Sequence, residues 1–149
     1  MKAARMPLFL LGITFLAASL ASPKADAGDR VIPTAPADVL AMENPYDPDD
    51  VDEKFLKKAG RYYKSKCKKC HGADGDGKGT AAAEMVLKPT DLTGDYLAGR
   101  KDGQLFWIVR DGSPNTEMKA FGPDSPAGYP EDRIWQLVTF MRAKFGSDE

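Results

Sequence analysis

Histidine and cysteine are the scarcest chemically active residues in this 149-residue chain, which has one His and two Cys. A structural zinc site of the Cys/His type takes a fourth ligand that this set cannot supply. A surplus of one charge sign is lacking too: 21 Lys and Arg stand against 22 Asp and Glu, for a net charge of −1. That balance offers little to a nucleic acid, whose binding rests on accumulated positive charge. No stretch alternates apolar and polar residues at period two, so none reads as a half-buried strand. Internal repeats are absent. What remains is an all-α domain of modest size, its helices marked by apolar residues at three- to four-residue spacing.

Long apolar runs are confined to the start. Lys2 and Arg5 precede an apolar run from Pro7 to Ala21, and Ala25-Asp26-Ala27 offers a small-residue cleavage site before Gly28. The run is shorter than the roughly 20 residues a spanning helix needs, and Pro23 and Lys24 end it. Residues 1–27 therefore read as a secretory signal peptide, and the chain is expected in the periplasm. Only a retained signal would give it membrane contact. Cleavage leaves 18 basic and 21 acidic side chains, a net charge of −3. Residues 28–50 follow as an acidic arm or linker with Pro33, Pro36, Pro45 and Pro48. From Asp38 to Glu53 there are seven carboxylates and no Lys or Arg. Such an arm either stays disordered or wraps the domain formed by residues 51–149, and both readings stand at this level.

Both cysteines and the histidine fall in Cys67-Lys68-Lys69-Cys70-His71. C-x-x-C-H is the attachment signature of c-type haem. On a helix, positions i, i+3 and i+4 share one face, so Cys67, Cys70 and His71 point the same way. Two thiols can then add to the two vinyl groups of one porphyrin as thioethers, with the imidazole as an axial iron ligand. One motif, with no Cys or His to spare, means one haem. A thiol–disulfide protein would need a βαβ setting that this helical chain lacks. The glycines of Gly72-Ala-Asp-Gly75-Asp-Gly77-Lys-Gly79 lack the G-x-x-x-x-G-K-[ST] pattern of a phosphate cradle. They read instead as a sharp turn beside a flat macrocycle.

The remaining elements are ordered around that motif. Asp49 or Asp50 is expected to cap a first helix, whose stripe is Val51, Phe55, Ala59, Tyr62/Tyr63 and Cys67. Gly60, at the edge of the stripe, costs about 1 kcal/mol against a better helix former and is expected to admit a second helix at close range. Residues 80–87 suggest a short helix, and Lys88–Thr93 a turn leading into another. Asp102 to Val109 is an apolar helix that Arg110-Asp111-Gly112 ends. Residues 113–130, with Pro114, Pro123, Pro126 and Pro130, form an irregular loop of a length that is usually functional. Pro130 opens the last helix, with Ile134, Leu137/Val138, Met141 and Phe145 on its apolar face.

A methionine in the long loop, Met118, stands as the candidate ligand on the other side of the iron. Its thioether would favour reduced iron and raise the potential. Met42 lies in the arm, and Met141 sits on an apolar stripe, where Met ordinarily packs. Met85, close behind the motif, is the rival.

Together these residues resemble a class I cytochrome c of the small bacterial monohaem kind, over about residues 53–145. The resemblance is carried by Gly60-Arg-Tyr-Tyr63, Cys67-Lys-Lys-Cys70-His71-Gly72, Lys88-Pro89-Thr-Asp-Leu92, Leu105-Phe-Trp107-Ile-Val-Arg110, Met118-Lys-Ala-Phe121 and Ile134-Trp135-Gln-Leu137. It implies that the first and last helices cross near Gly60, and that haem c is bound by Cys67, Cys70, His71 and Met118. It implies as well that the Pro89 carbonyl orients the His71 imidazole through Nδ1–H. By the same resemblance, Trp107 is expected in a helix that walls the haem pocket, its indole reaching a propionate or simply packing. One departure is Met118-Lys119, where many relatives have Met-Pro.

The function so implied is that of a non-enzymatic one-electron carrier between redox proteins. A subunit of a larger dehydrogenase or oxidase, or a gas-binding or catalytic haem protein with a labile Met118, are the alternatives. From Lys54 to Lys78 there are nine basic residues and only two acids. They read either as a face that steers acidic partners or as the solvated side of a helix.

Overall fold

Asp52 starts the first long helix. Its Oδ1 accepts the backbone N–H of Phe55 at 2.7 Å, satisfying a donor that a helix start leaves open. The cap lies just beyond Asp49 and Asp50, the residues expected to provide it. Those two are tied into a preceding turn, their N–H groups donating to the side chain and carbonyl of Asp47.

The computed structural model describes residues 32–146. The signal expected over 1–27 and the first residues of the arm lie outside the described residues. The described helices are α1 (Ala37–Leu40), α2 (Glu53–Lys66), α3 (Lys68–His71), α4 (Asp95–Ala98), α5 (Asp102–Asp111) and α6 (Glu131–Phe145). A 3-10 turn spans Ala82–Glu84, where a short helix was expected. Among the described residues there is no strand, so the all-α fold expected from the sequence is the one observed. No helix among them is long and apolar enough to cross a membrane.

The long helices α2 and α6 pack across Gly60. A Cβ placed on Gly60 would stand 3.0 Å from Cε2 of Phe140, so the absent side chain sets how closely the helices approach. Beneath this crossing, Phe106 of α5 stacks on Trp135 of α6, with ring centroids 4.1 Å apart and planes 18° from parallel. Leu97, Ile134, Leu137 and Val138 are fully buried around that pair. Removing any one of them would cost about 2–5 kcal/mol in lost burial and cavity formation.

Arg142 ties the elements together from the side. Its guanidinium donates to Asp102 at the start of α5 (Nε to Oδ1, 2.8 Å) and to the carbonyl oxygens of Leu97 and Arg100. Asn44 donates to the other oxygen of Asp102 at 2.9 Å and to the Thr139 hydroxyl at 3.1 Å. The described part of the arm thus wraps the domain. Ala35 and Val39 are buried in the core, and Tyr46 packs on Phe55 while its hydroxyl donates to Asp132.

Candidate haem site

Helix α2 runs to Lys66, and the chain hitches at Cys67 before α3 carries Cys70 and His71. Cys67 N donates to the Tyr63 carbonyl at 2.8 Å, and Cys67 O accepts from both Cys70 N (3.1 Å) and His71 N (2.9 Å). The three functional residues therefore sit on one tight turn. Tyr63, buried below it, donates its hydroxyl to the Gly72 carbonyl at 2.9 Å; burial first, then the nearby Cys67 and acidic side chains, push that hydroxyl's pKa well above the ordinary value.

Cys67 and Cys70 are not joined to each other. Burial, with a smaller contribution from Cys70, pushes the Cys67 thiol up to about 12. A thiol–disulfide catalyst works through a thiolate whose pKa is lowered. Cys67 is shifted in the opposite direction.

Nδ1 of His71 lies 3.1 Å from the Thr90 carbonyl oxygen. A carbonyl only accepts, so Nδ1 carries the proton and donates, and the coordinating lone pair is left on Nε2. The carbonyl expected in this role was that of Pro89, one residue earlier. The Pro89 oxygen instead faces the glycine-rich loop, where a Cβ on Gly77 would meet it at 2.7 Å. Gly77 N donates to the His71 carbonyl at 3.0 Å, Gly79 N to that of Cys70 at 3.1 Å, and Leu92 N to that of Gly75 at 2.7 Å. The glycines are needed because the loop is layered between the cysteine turn and the Pro89–Leu92 segment. That is a closer constraint than the sharp turn expected of them.

One cavity of about 450 Å³ brings the site together, within the range of cofactor pockets. Cys67, Cys70 and His71 line it from one side and Met118 from the loop, with apolar walls from Leu92, Leu105, Ile108 and Val109. Pro89 and Thr90 line it also. Trp107 does not: α5 turns Leu105, Ile108 and Val109 toward the cavity, and Trp107 packs half-buried against the core. The helix walls the cavity as the resemblance implied, and of the two roles given for the Trp107 indole, packing is the one seen. The Met118 loop is held from within, since Ser113 N donates to the Met118 carbonyl at 2.9 Å and Met118 N to the Thr116 hydroxyl at 3.0 Å. It is fastened to α5 by Phe121 N to Val109 O at 3.1 Å and Gly122 N to Arg110 O at 2.9 Å. Met85 and Met141 reach the same cavity, and so does Ile32 of the arm, which sequence reasoning passed over.

Two thiols, a histidine with its tautomer set and an apolar chamber are a donor set that fits haem. A family model described as cytochrome c oxidase, cbb3-type, subunit III matches residues 55–141. The chain belongs to this family. It is a c-type cytochrome, and its cofactor is covalently bound haem c. The match starts within α2 and ends within α6, so it spans both helices of the Gly60 crossing. No curated protein matches the chain. Among solved structures it is similar to a chain of the Kuenenia stuttgartiensis reducing HAO-like protein complex, with 22% identity and a TM-score of 0.51. That similarity covers 71% of this cytochrome and 48% of the other chain, so it spans about half the neighbour's length and supports the fold.

Proposed function

We propose that this cytochrome is an exported one-electron carrier whose single haem iron is held between His71 and Met118. The reading rests on one observation: of the three methionines that line the cavity with Cys67, Cys70 and His71, Met118 is the one on the long loop fastened to α5, whereas Met141 is buried in the core and Met85 follows the 3-10 turn. Bound there, haem supplies a reversible one-electron couple. The protein's part is to attach it through Cys67 and Cys70, to fix His71 through the Thr90 carbonyl, and to exclude water with the walls of α5. With His71 and Met118 both holding the iron, no open position would remain for substrate, so the role would be exchange of electrons rather than catalysis.

Lys66, Lys69, Lys88 and Lys119 are exposed where they border the cavity. They favour redox partners with acidic docking surfaces, and electron exchange with such a partner should slow as salt rises. The decisive test is the oxidised visible spectrum. A weak long-wavelength methionine–iron band should be present, should vanish in Met118→Ala, and should persist in Met85→Ala. Survival of the band in Met118→Ala would discard the ligand assignment. A second reading, a haem subunit of a larger assembly, draws on the family description, and co-purification of full-length against arm-deleted protein separates the two. Export is tested by cell fractionation.

A further inference from the structure

The first turn of α5 does something that haem attachment alone does not require. Three consecutive residues, Asp102, Gly103 and Gln104, each hold a different part of the arm. Asp102 accepts from Asn44 at 2.9 Å. Gly103 leaves room for the end of α1, because a Cβ there would fall 2.1 Å from the Val39 carbonyl oxygen. Gln104 is the buried member, only 7% exposed. Its Oε1 accepts from Ala35 N at 2.8 Å and its Nε2 donates to Pro33 O at 3.1 Å.

That amide therefore satisfies one donor and one acceptor of the same short segment, as a neighbouring strand would. The segment is suited to the arrangement. Pro33 and Pro36 have no N–H to leave unsatisfied against an apolar surface, and their fixed φ keeps the chain extended. Ala35 and Val39 are buried next to the clamp. Immediately before it, Ile32 lines the same cavity as Leu105, the residue that follows Gln104 on α5. The acidic arm thus carries, just ahead of the clamp, an apolar residue that lines the cofactor cavity.

We infer that Gln104 is a positioning residue for the haem: it clamps residues 33–35 as a strap that keeps Ile32 in the pocket wall and water out. The inference rests on haem occupying this cavity, and it holds whichever methionine is the axial ligand. Water around the iron stabilises the more highly charged oxidised state, so a leaking wall lowers the reduction potential.

The experiment uses full-length holoprotein carrying Gln104→Leu or Ile32→Ser, with two readouts. Hydrogen exchange at the Ala35 amide reports the clamp, and spectroelectrochemical titration reports the pocket. Loss of two ordinary hydrogen bonds corresponds to a factor of about 10 to 100 in the opening equilibrium, so Ala35 exchange in Gln104→Leu should accelerate by that factor. The potential of Gln104→Leu should fall with it. Ile32→Ser leaves the clamp in place, so Ala35 should stay protected while the potential falls. A merely structural Gln104 would lower thermal stability and leave the potential where it was. A wild-type potential in either variant overturns the inference, and Ile32→Ser decides it alone if Gln104→Leu does not fold. Failure of the His71/Met118 reading would show separately, in the wild-type oxidised spectrum.

Discussion

Replacing Gly77 by alanine should damage this cytochrome in two places at once, and the structure gives the size of each effect. Gly77 has φ +72°, a conformation that costs an L-residue about 1–2 kcal/mol. Its new Cβ would also lie 2.7 Å from the Pro89 oxygen and 3.4 Å from the Thr90 carbonyl carbon, contacts that only backbone movement can relieve. Overpacking of this kind costs about 1–3 kcal/mol. Gly128 provides the control. Its φ is +57°, and a Cβ there would meet nothing within 4 Å. Gly128→Ala carries the backbone cost alone, so the difference between the two variants isolates the clash. At roughly 4 °C per kcal/mol for a domain of this size, Gly77→Ala should melt about 4–12 °C below Gly128→Ala. The backbone that must move bears the oxygen that holds His71 Nδ1, so Gly77→Ala should also shift the reduction potential, whereas Gly128→Ala should not. Thermal melting followed by circular dichroism, with a redox titration of each variant, checks both. Equal melting temperatures and equal potentials would refute the claim that the glycine loop props the ligand-orienting carbonyl.

Three further outcomes are expected. Arg142→Met should cost about 3–5 kcal/mol in urea unfolding, because Asp102 and the carbonyls of Leu97 and Arg100 lose a largely buried cation; a change below about 1 kcal/mol would show the network to be dispensable. Asp91 accepts from the Thr93 hydroxyl at 2.6 Å and the Thr93 N–H at 2.9 Å, and the hydroxyl first and the N–H second hold its carboxyl below the usual range. Its stabilising contribution is therefore present above the unfolded value of about 4 and lost as the pH falls below it, so Asp91→Asn should flatten the fall of the urea midpoint below about pH 4; superimposable curves would contradict this. Protein made without haem attachment should show weak helicity and no cooperative melting, because α5 and the cysteine turn face an empty chamber instead of a cofactor.

What could be read from the sequence was what rests on side-chain identity and spacing. Cys67, Cys70 and His71 share a face because of helical periodicity, and Met118 stood out as a soft ligand in a long proline-bearing loop; all four line one cavity. Gly60 marked the helix crossing because a glycine in a helix usually needs a reason. What escaped was decided by backbone register and by distant pairing. Every residue has a carbonyl, so no property of Pro89 or Thr90 reveals which one faces His71. Trp107 lay in a helix with apolar residues on all sides, and only packing settles that Leu105, Ile108 and Val109 turn inward. The short helix α1 and the Gln104 clamp depend on partners far along the chain. Gly103 beside a polar residue inside an apolar helix was the one local sign of a close approach there.

The arm's fastenings also bear on the order in which the molecule assembles. The clamp joins residues 69 and 71 positions apart, and Asn44 reaches partners 58 and 95 positions away. The turn that presents the two thiols and the imidazole needs only its immediate neighbours. Long loops lose more entropy on closing, and their contacts reward it only at the end, so the arm is expected to dock late. A large flat cofactor is therefore expected to meet a wall that the arm has not yet closed. On that expectation, the sequence separation of a few hydrogen bonds would leave the cavity open for loading without any moving part in the finished protein.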